Sequence, residues 1–156
     1  VGGMSVAEAA VDGVAALKAV LRKSGGAGVN DLDRSQVTQA TPLMLAFEQC
    51  PLQEVQRVVE VLLDHGALVN ATDVSGNTPL MYCVDREPNK QAGEDKKELD
   101  PLKLGWTKTL LDHGADPKQK NQENPPENSL DKSQNLNGRN PVSDAMMTAL
   151  HLRKLE

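Results

Sequence analysis

The side chains that could be grouped as a metal site are His65 and His113 together with Cys50 and Cys83. Zinc sites present such groups in short pairs, Cys-x-x-Cys or His-x-x-x-His, so that one turn or one helix face supplies two ligands at once. Neither spacing occurs here, and no metal or cofactor is expected. Each of these histidines stands directly before a glycine at the end of an apolar helical stretch, where an imidazole meets the last carbonyls and the helix dipole. The cysteines lie within apolar helical stretches and read as small hydrophobes. Two of them make no disulfide framework, so a reducing, intracellular and most simply cytoplasmic setting is expected. No Gly-x-Ser-x-Gly, His-Glu-x-x-His or phosphate-cradling loop is present, and Gly25-Gly26-Ala27-Gly28 follows a helix rather than a strand. The chemistry-bearing residues thus point away from an enzyme.

The elements that position these groups are read from composition and periodicity. The 156 residues are 38% apolar and 25% charged, with one each of Trp, Tyr and Phe. A core of Leu, Val, Ala and Met suits thin layers of closely spaced helices. A net charge of -5 argues against a nucleic-acid backbone as main partner, since that binding relies on a Lys/Arg surface. No stretch approaches the roughly 20 apolar residues of a membrane span, and the opening residues lack the apolar segment of a signal peptide. Val1–Met4 and Leu155–Glu156 read as residues left by a tag or vector, flanking one domain over 5–154.

Two words alternate along the chain. Leu62-Leu63-Asp64-His65-Gly66-Ala67 recurs at Leu110-Leu111-Asp112-His113-Gly114-Ala115, and Thr41-Pro42-Leu43-Met44 recurs at Thr78-Pro79-Leu80-Met81. Thr before Pro starts a helix: the hydroxyl accepts from an orphaned backbone donor, and Pro takes the first position, where its missing N–H costs nothing. Val55, Val58, Val59, Leu62 and Leu63 follow the spacing that gives one apolar helix face. Gly66 and Gly114 fall where a helix ends in a left-handed residue. Ser5-Val6-Ala7-Glu8 has the spacing of a capping box, and Val142, Ala145, Met146, Ala149 and Leu150 give a last apolar face.

These words resemble the ankyrin family, whose unit of about 33 residues is a β-turn followed by two antiparallel helices. Asp64 to Ala71 is similar to the family's Gly-Ala-Asp-Val-Asn-Ala junction, and Asp73 to Leu80 to the turn that opens the next unit. The resemblance implies an all-α, ankyrin-type solenoid of stacked antiparallel helix pairs with short β-turn connections. Units are expected at about 5–35, 36–72 and 73–120, with a partial one at 136–154. The family's His after Leu is replaced by Met44 and Met81, so its link between neighbouring turns is missing or replaced. The charged stretch 86–100 is expected to project as a loop. The polar stretch 118–139 has a composition that cannot bury enough apolar surface to order itself alone.

The resemblance also implies a function: a non-catalytic scaffold that binds another protein, or another region of its parent chain, as a monomer. Stacked helix pairs leave the turn tips and the exposed side of the first helices free of structural duty. By register with the family's variable positions, the expected partner-binding residues are Val37, Thr38, Glu48 and Gln49 in one unit. In the next they are Thr72, Val74, Ser75, Asn77, Asp85 and Arg86. Asn70, eight residues after Leu62, fits the family's pattern for asparaginyl hydroxylation, and this reading is preferred over N-glycosylation of Asn70-Ala71-Thr72. Trp106 aligns with Val58 of the preceding unit and is expected in the core. Two other functions stay open: a regulatory module of a larger enzyme such as a kinase or acyltransferase, and a small-ligand sensor built on Trp106.

Overall fold

A computed structural model describes residues 4–32, 39–122, 126–132 and 141–155. Among the described residues the regular structure is helical: α1 (Val6–Asp12), α2 (Val14–Ser24), α3 (Pro42–Gln49), α4 (Leu52–Asp64), α5 (Pro79–Asp85), α6 (Lys96–Asp112) and α7 (Pro141–Leu155). The starts follow the capping chemistry of the sequence. Ser5 Oγ accepts from the Glu8 N–H at 3.1 Å. Thr41 and Thr78 hydroxyls accept from Met44 and Met81 N–H groups, both at 3.4 Å. The Met44 sulfur in turn accepts from the Thr41 N–H, so a thioether stands where a capping box uses Glu or Gln.

The helix ends repeat one motif. Gly66 and Gly114 have φ of 91° and 93°. The Ala67 and Ala115 N–H groups reach back to the Leu62 and Leu110 carbonyls at 3.0 Å, the long bond of a left-handed helix stop. His65 and His113 donate from Nδ1 to the Val61 and Thr109 carbonyls at 2.8 and 2.9 Å. Their imidazoles close helix ends, as their position in the sequence predicts.

The pairs α1–α2, α3–α4 and α5–α6 stack side by side, with α1, α3 and α5 forming one row and α2, α4 and α6 the other. Their shared core holds Leu17, Leu43, Phe47, Val55, Val58, Leu62, Leu80, Trp106 and Leu110, each 1% exposed or less. Burying a Leu or Val side chain contributes about 1.5–3 kcal/mol. The layers therefore hold together largely through aliphatic burial, and Phe47 lies against Trp106 at 6.0 Å.

Polar links join successive units. The Asn30 amide donates to the Gly66 carbonyl and accepts from the Leu68 N–H. One unit later, Asn70 donates to Gly114 and its oxygen accepts from the Asp116 N–H, at 3.1 and 2.9 Å. Cations close the carbonyl ends of neighbouring helices: Arg86 on Phe47 of α3, Lys103 on Val84 of α5, and Arg153 on Leu111 and Ala115 at the end of α6.

The stretch 86–100 is largely exposed but is anchored at Arg86, Glu94 and Leu99. Arg86 is only 5% exposed; it reaches the Phe47 carbonyl and pairs with Glu94 at 3.0 Å, which ties the connection to the end of α3. From Lys96 onward the chain is already helical, because Asp95 caps the Glu98 N–H at 2.8 Å. In the stretch 118–139, the Gln122 N–H donates to the Ser75 carbonyl and Asn121 to Asn77. A helical turn at 129–132 brings Lys132 to Asp85. Helix α7 packs on α6 and so continues the row of second helices, with Met146 fully buried.

Candidate functional site

The turn before α5 is built around one carboxylate. Asp73 Oδ1 accepts from the Ser75 and Asn77 N–H groups, each at 2.9 Å, and Oδ2 accepts from the Tyr82 hydroxyl at 2.5 Å. Its backbone N–H donates to the Asn77 carbonyl. Asp73 thus fixes the shape of the tip and anchors it to α5. The left-handed Gly76 at the tip has φ of 77°; a Cβ there would lie 3.0 Å from the Gln122 backbone nitrogen, so glycine is required both by conformation and by the close approach of the next unit.

Beside this tip lies a groove of about 410 Å³. Met81 and Tyr82 contribute the apolar surface, Asp73, Ser75 and Asn77 the tip, Glu48 the end of α3, and Asp85, Arg86 and Glu87 the end of α5. Five residues expected from the sequence therefore meet here: Glu48, Ser75, Asn77, Asp85 and Arg86. Thr72 and Val74 are exposed on the turn and Gln49 at the end of α3, outside the groove lining. Val37 and Thr38 lie outside the described residues.

Arg86 is turned the other way from its expected role. Its guanidinium is buried on Phe47 and Glu94, so the side chain serves the fold. Asp73, Met81, Tyr82 and Glu87 were not anticipated. Asp73 carried a legible signal, since an Asp followed by Ser and Gly favours a turn in which the carboxylate accepts backbone N–H groups.

The groove is acidic. Glu48, Asp73, Asp85 and Glu87 line it, and its one lining cation, Arg86, is consumed by Glu94. For Glu94, burial pushes the carboxyl up, but the Asn89 N–H and the Arg86 guanidinium outweigh it and hold the group below the usual carboxylate range. Lys132 sits 3.2 Å from Asp85 and 3.5 Å from Glu127. Burial alone would lower its pKa, but those two carboxylates outweigh it and raise the ammonium above its ordinary value.

The remaining chemistry-capable residues are structural. Cys50 and Cys83 are fully buried, and burial pushes their thiols up to about 12 and about 11, which removes the thiolate a nucleophile needs. Trp106 is 1% exposed, in the core as its alignment with Val58 predicts; its ring is covered and offers no stacking platform for a ligand. No helix of the described residues is long and apolar enough to cross a membrane.

A family model for the ankyrin repeat matches residues 38–74, the stretch that holds α3, α4 and the junction with Asn70. That stretch is an ankyrin repeat, and the described helices stack as an ankyrin-type helical solenoid. The chain is also similar to a solved structure, the ankyrin repeat domain of Bcl-3, described as a unique member of the IκB protein family. The identity is 27% and the TM-score 0.56, over 85% of this chain. The match spans 45% of that chain's length. No curated protein matches the sequence. Within the ankyrin frame, the Tyr82–Asp73 bond ties the turn to the first helix of its own repeat, and Met44 and Met81, where the family has His, are buried.

Proposed function

We propose that this ankyrin-repeat chain is a non-catalytic protein-interaction module that seats its partner in the groove between the 73–77 turn and the ends of α3 and α5. The partner is another protein or another region of the same parent chain. The observation that carries this reading is the groove itself. Of its lining residues, Glu48 is exposed at a helix end, and Ser75 and Asn77 stand half-buried at a turn tip that the 121–122 segment touches. The likeness to the Bcl-3 ankyrin domain supports an interaction role, although function resides in the site and not in the fold. The histidines and thiols argue for the same reading, since the former close helix ends and the latter are buried as neutral groups. Two buried free thiols also suit a reducing, cytoplasmic setting.

The test is site-specific photo-crosslinking. A photoreactive residue in place of Val74 is expected to capture the same protein that the unmodified chain retains, whereas one at Lys18, on the second-helix row, is not. Capture at Lys18 alone would move the binding surface to the other side of the stack. We also propose Asn70 as a hydroxylation site. It is exposed, but its amide is engaged by Gly114 and Asp116, so an asparaginyl hydroxylase would act on a locally opened junction. An unmodified Asn70 peptide in the mass spectrum after incubation with such an enzyme removes the idea.

A further inference from the structure

We infer that the groove recognises a cationic side chain, arginine or lysine, on an extended segment of the partner, and that Lys132 competes with it for one of the groove's carboxylates. The inference rests on the groove reading above and adds the partner's chemistry. Three features carry it together.

The first is shape with composition. The half-buried Tyr82 ring gives the groove apolar surface above the buried Met81, while Glu48, Asp85 and Glu87 stand exposed at its edges. That arrangement suits a long basic side chain, whose methylene stem lies on apolar surface while its charge stays at a polar rim. The aromatic face adds attraction for a cation.

The second is a surplus of negative charge at the groove. Among the described residues the ion pairs are Arg86 with Glu94 and Lys132 with Asp85 and Glu127. Glu48 and Glu87 are in neither of these pairs; Lys103, held on the Val84 and Arg86 carbonyls, offsets part of the charge of Glu87 and Asp85, and Arg86 is buried on Glu94. A chain of net charge -5 reinforces this field, which favours approach of a positive partner and rejects an acidic one.

The third is that the groove's edge already accepts a cation from the chain itself. Lys132 arrives from the helical turn at 129–132 and places its ammonium 3.2 Å from Asp85, with the side chain 15% exposed. An arriving arginine that pairs with Asp85 must displace that ammonium, which leaves Lys132 on Glu127 alone. Lys132 therefore weakens the groove's hold on basic partners.

The experiment uses the whole chain, isotope-labelled, titrated with three pools of short extended peptides. The pools share randomised flanks and differ only in a central arginine, norleucine or glutamate. The arginine pool is expected to shift the amide resonances of Ser75, Asn77, Tyr82 and Glu87, and to do so less as salt rises. Glu48→Gln with Glu87→Gln is expected to weaken it about fivefold, as for exposed ion pairs. Lys132→Ala is expected to tighten it about threefold. Glu48 and Glu87 are exposed and Lys132 is half-buried, and unchanged resonances elsewhere verify the fold in each variant. Norleucine binding as well as arginine at the same resonances would overturn the cationic preference while leaving the groove as the binding site. Arginine peptides that shift only distant resonances would overturn both readings. Absence of binding by any pool would overturn the inference, with the crosslinking at Val74 left to judge the groove separately.

Discussion

Asn70 shows what one side chain does in a stacked fold. Its amide spans two repeats, giving a proton to Gly114 and taking one from Asp116, and Asn30 does the same one unit earlier. A net contribution of about 1 kcal/mol per hydrogen bond predicts that Asn70→Ala lowers unfolding free energy by about 1–2 kcal/mol, measured by urea denaturation. The thiols make a second prediction at this scale. With Cys50 and Cys83 buried and pushed up to about 12 and about 11, alkylation by iodoacetamide at mildly alkaline pH is expected to occur only through opening of the fold. Labelling rates that rise in step with urea, and modification of neither thiol in the native protein, are the expected result; fast native labelling contradicts it.

At the scale of elements, the connection from α5 to α6 depends on one buried pair. Arg86 holds both the end of α3 and Glu94, with side-chain exposures of 4% and 7% for the pair. Removing one partner of a buried pair leaves the other uncompensated, at a cost of about 3–5 kcal/mol. Arg86→Ala is therefore expected to be more damaging than any exposed substitution in the groove, with the loss read from chemical denaturation. The same pair sets a pH dependence. Because Glu94 is held below the usual carboxylate range when folded, its contribution is complete at neutral pH. It falls away as the pH drops through that range toward the lower folded value. The stability gap between the wild type and Glu94→Gln should accordingly shrink as the pH falls through and below the usual carboxylate range.

For the whole molecule, repeat stability is a sum of units and nearest-neighbour contacts, so the ends loosen first. Helix α7 meets the stack on one side, through α6, with Met146 in the core and Arg153 on the Leu111 and Ala115 carbonyls. Arg153→Ala is expected to speed hydrogen exchange in α7 and the end of α6 by about tenfold, while α3 and α4 keep their protection. Uniform acceleration through all repeats would show that the stack opens as one unit. The groove at the centre is predicted to survive such fraying, because its residues belong to α3, α5 and the turn between repeats.

Much of this was written in the sequence because its causes are local. The Thr-Pro starts, the glycine stops, the histidines on the last carbonyls and the apolar face of α4 involve residues within about four positions of one another, where capping and periodicity operate. Repetition of those local words then determined the solenoid, and with it the burial of Trp106 and five of the residues that meet at the groove. Only the tertiary structure decided which way Arg86 turns, that α7 joins the row of second helices, and that Lys132 lies on Asp85. Those outcomes depend on partners tens of residues away, brought together by how the layers stack, and residue type alone does not tell a cation that faces a partner from one that closes a neighbouring helix.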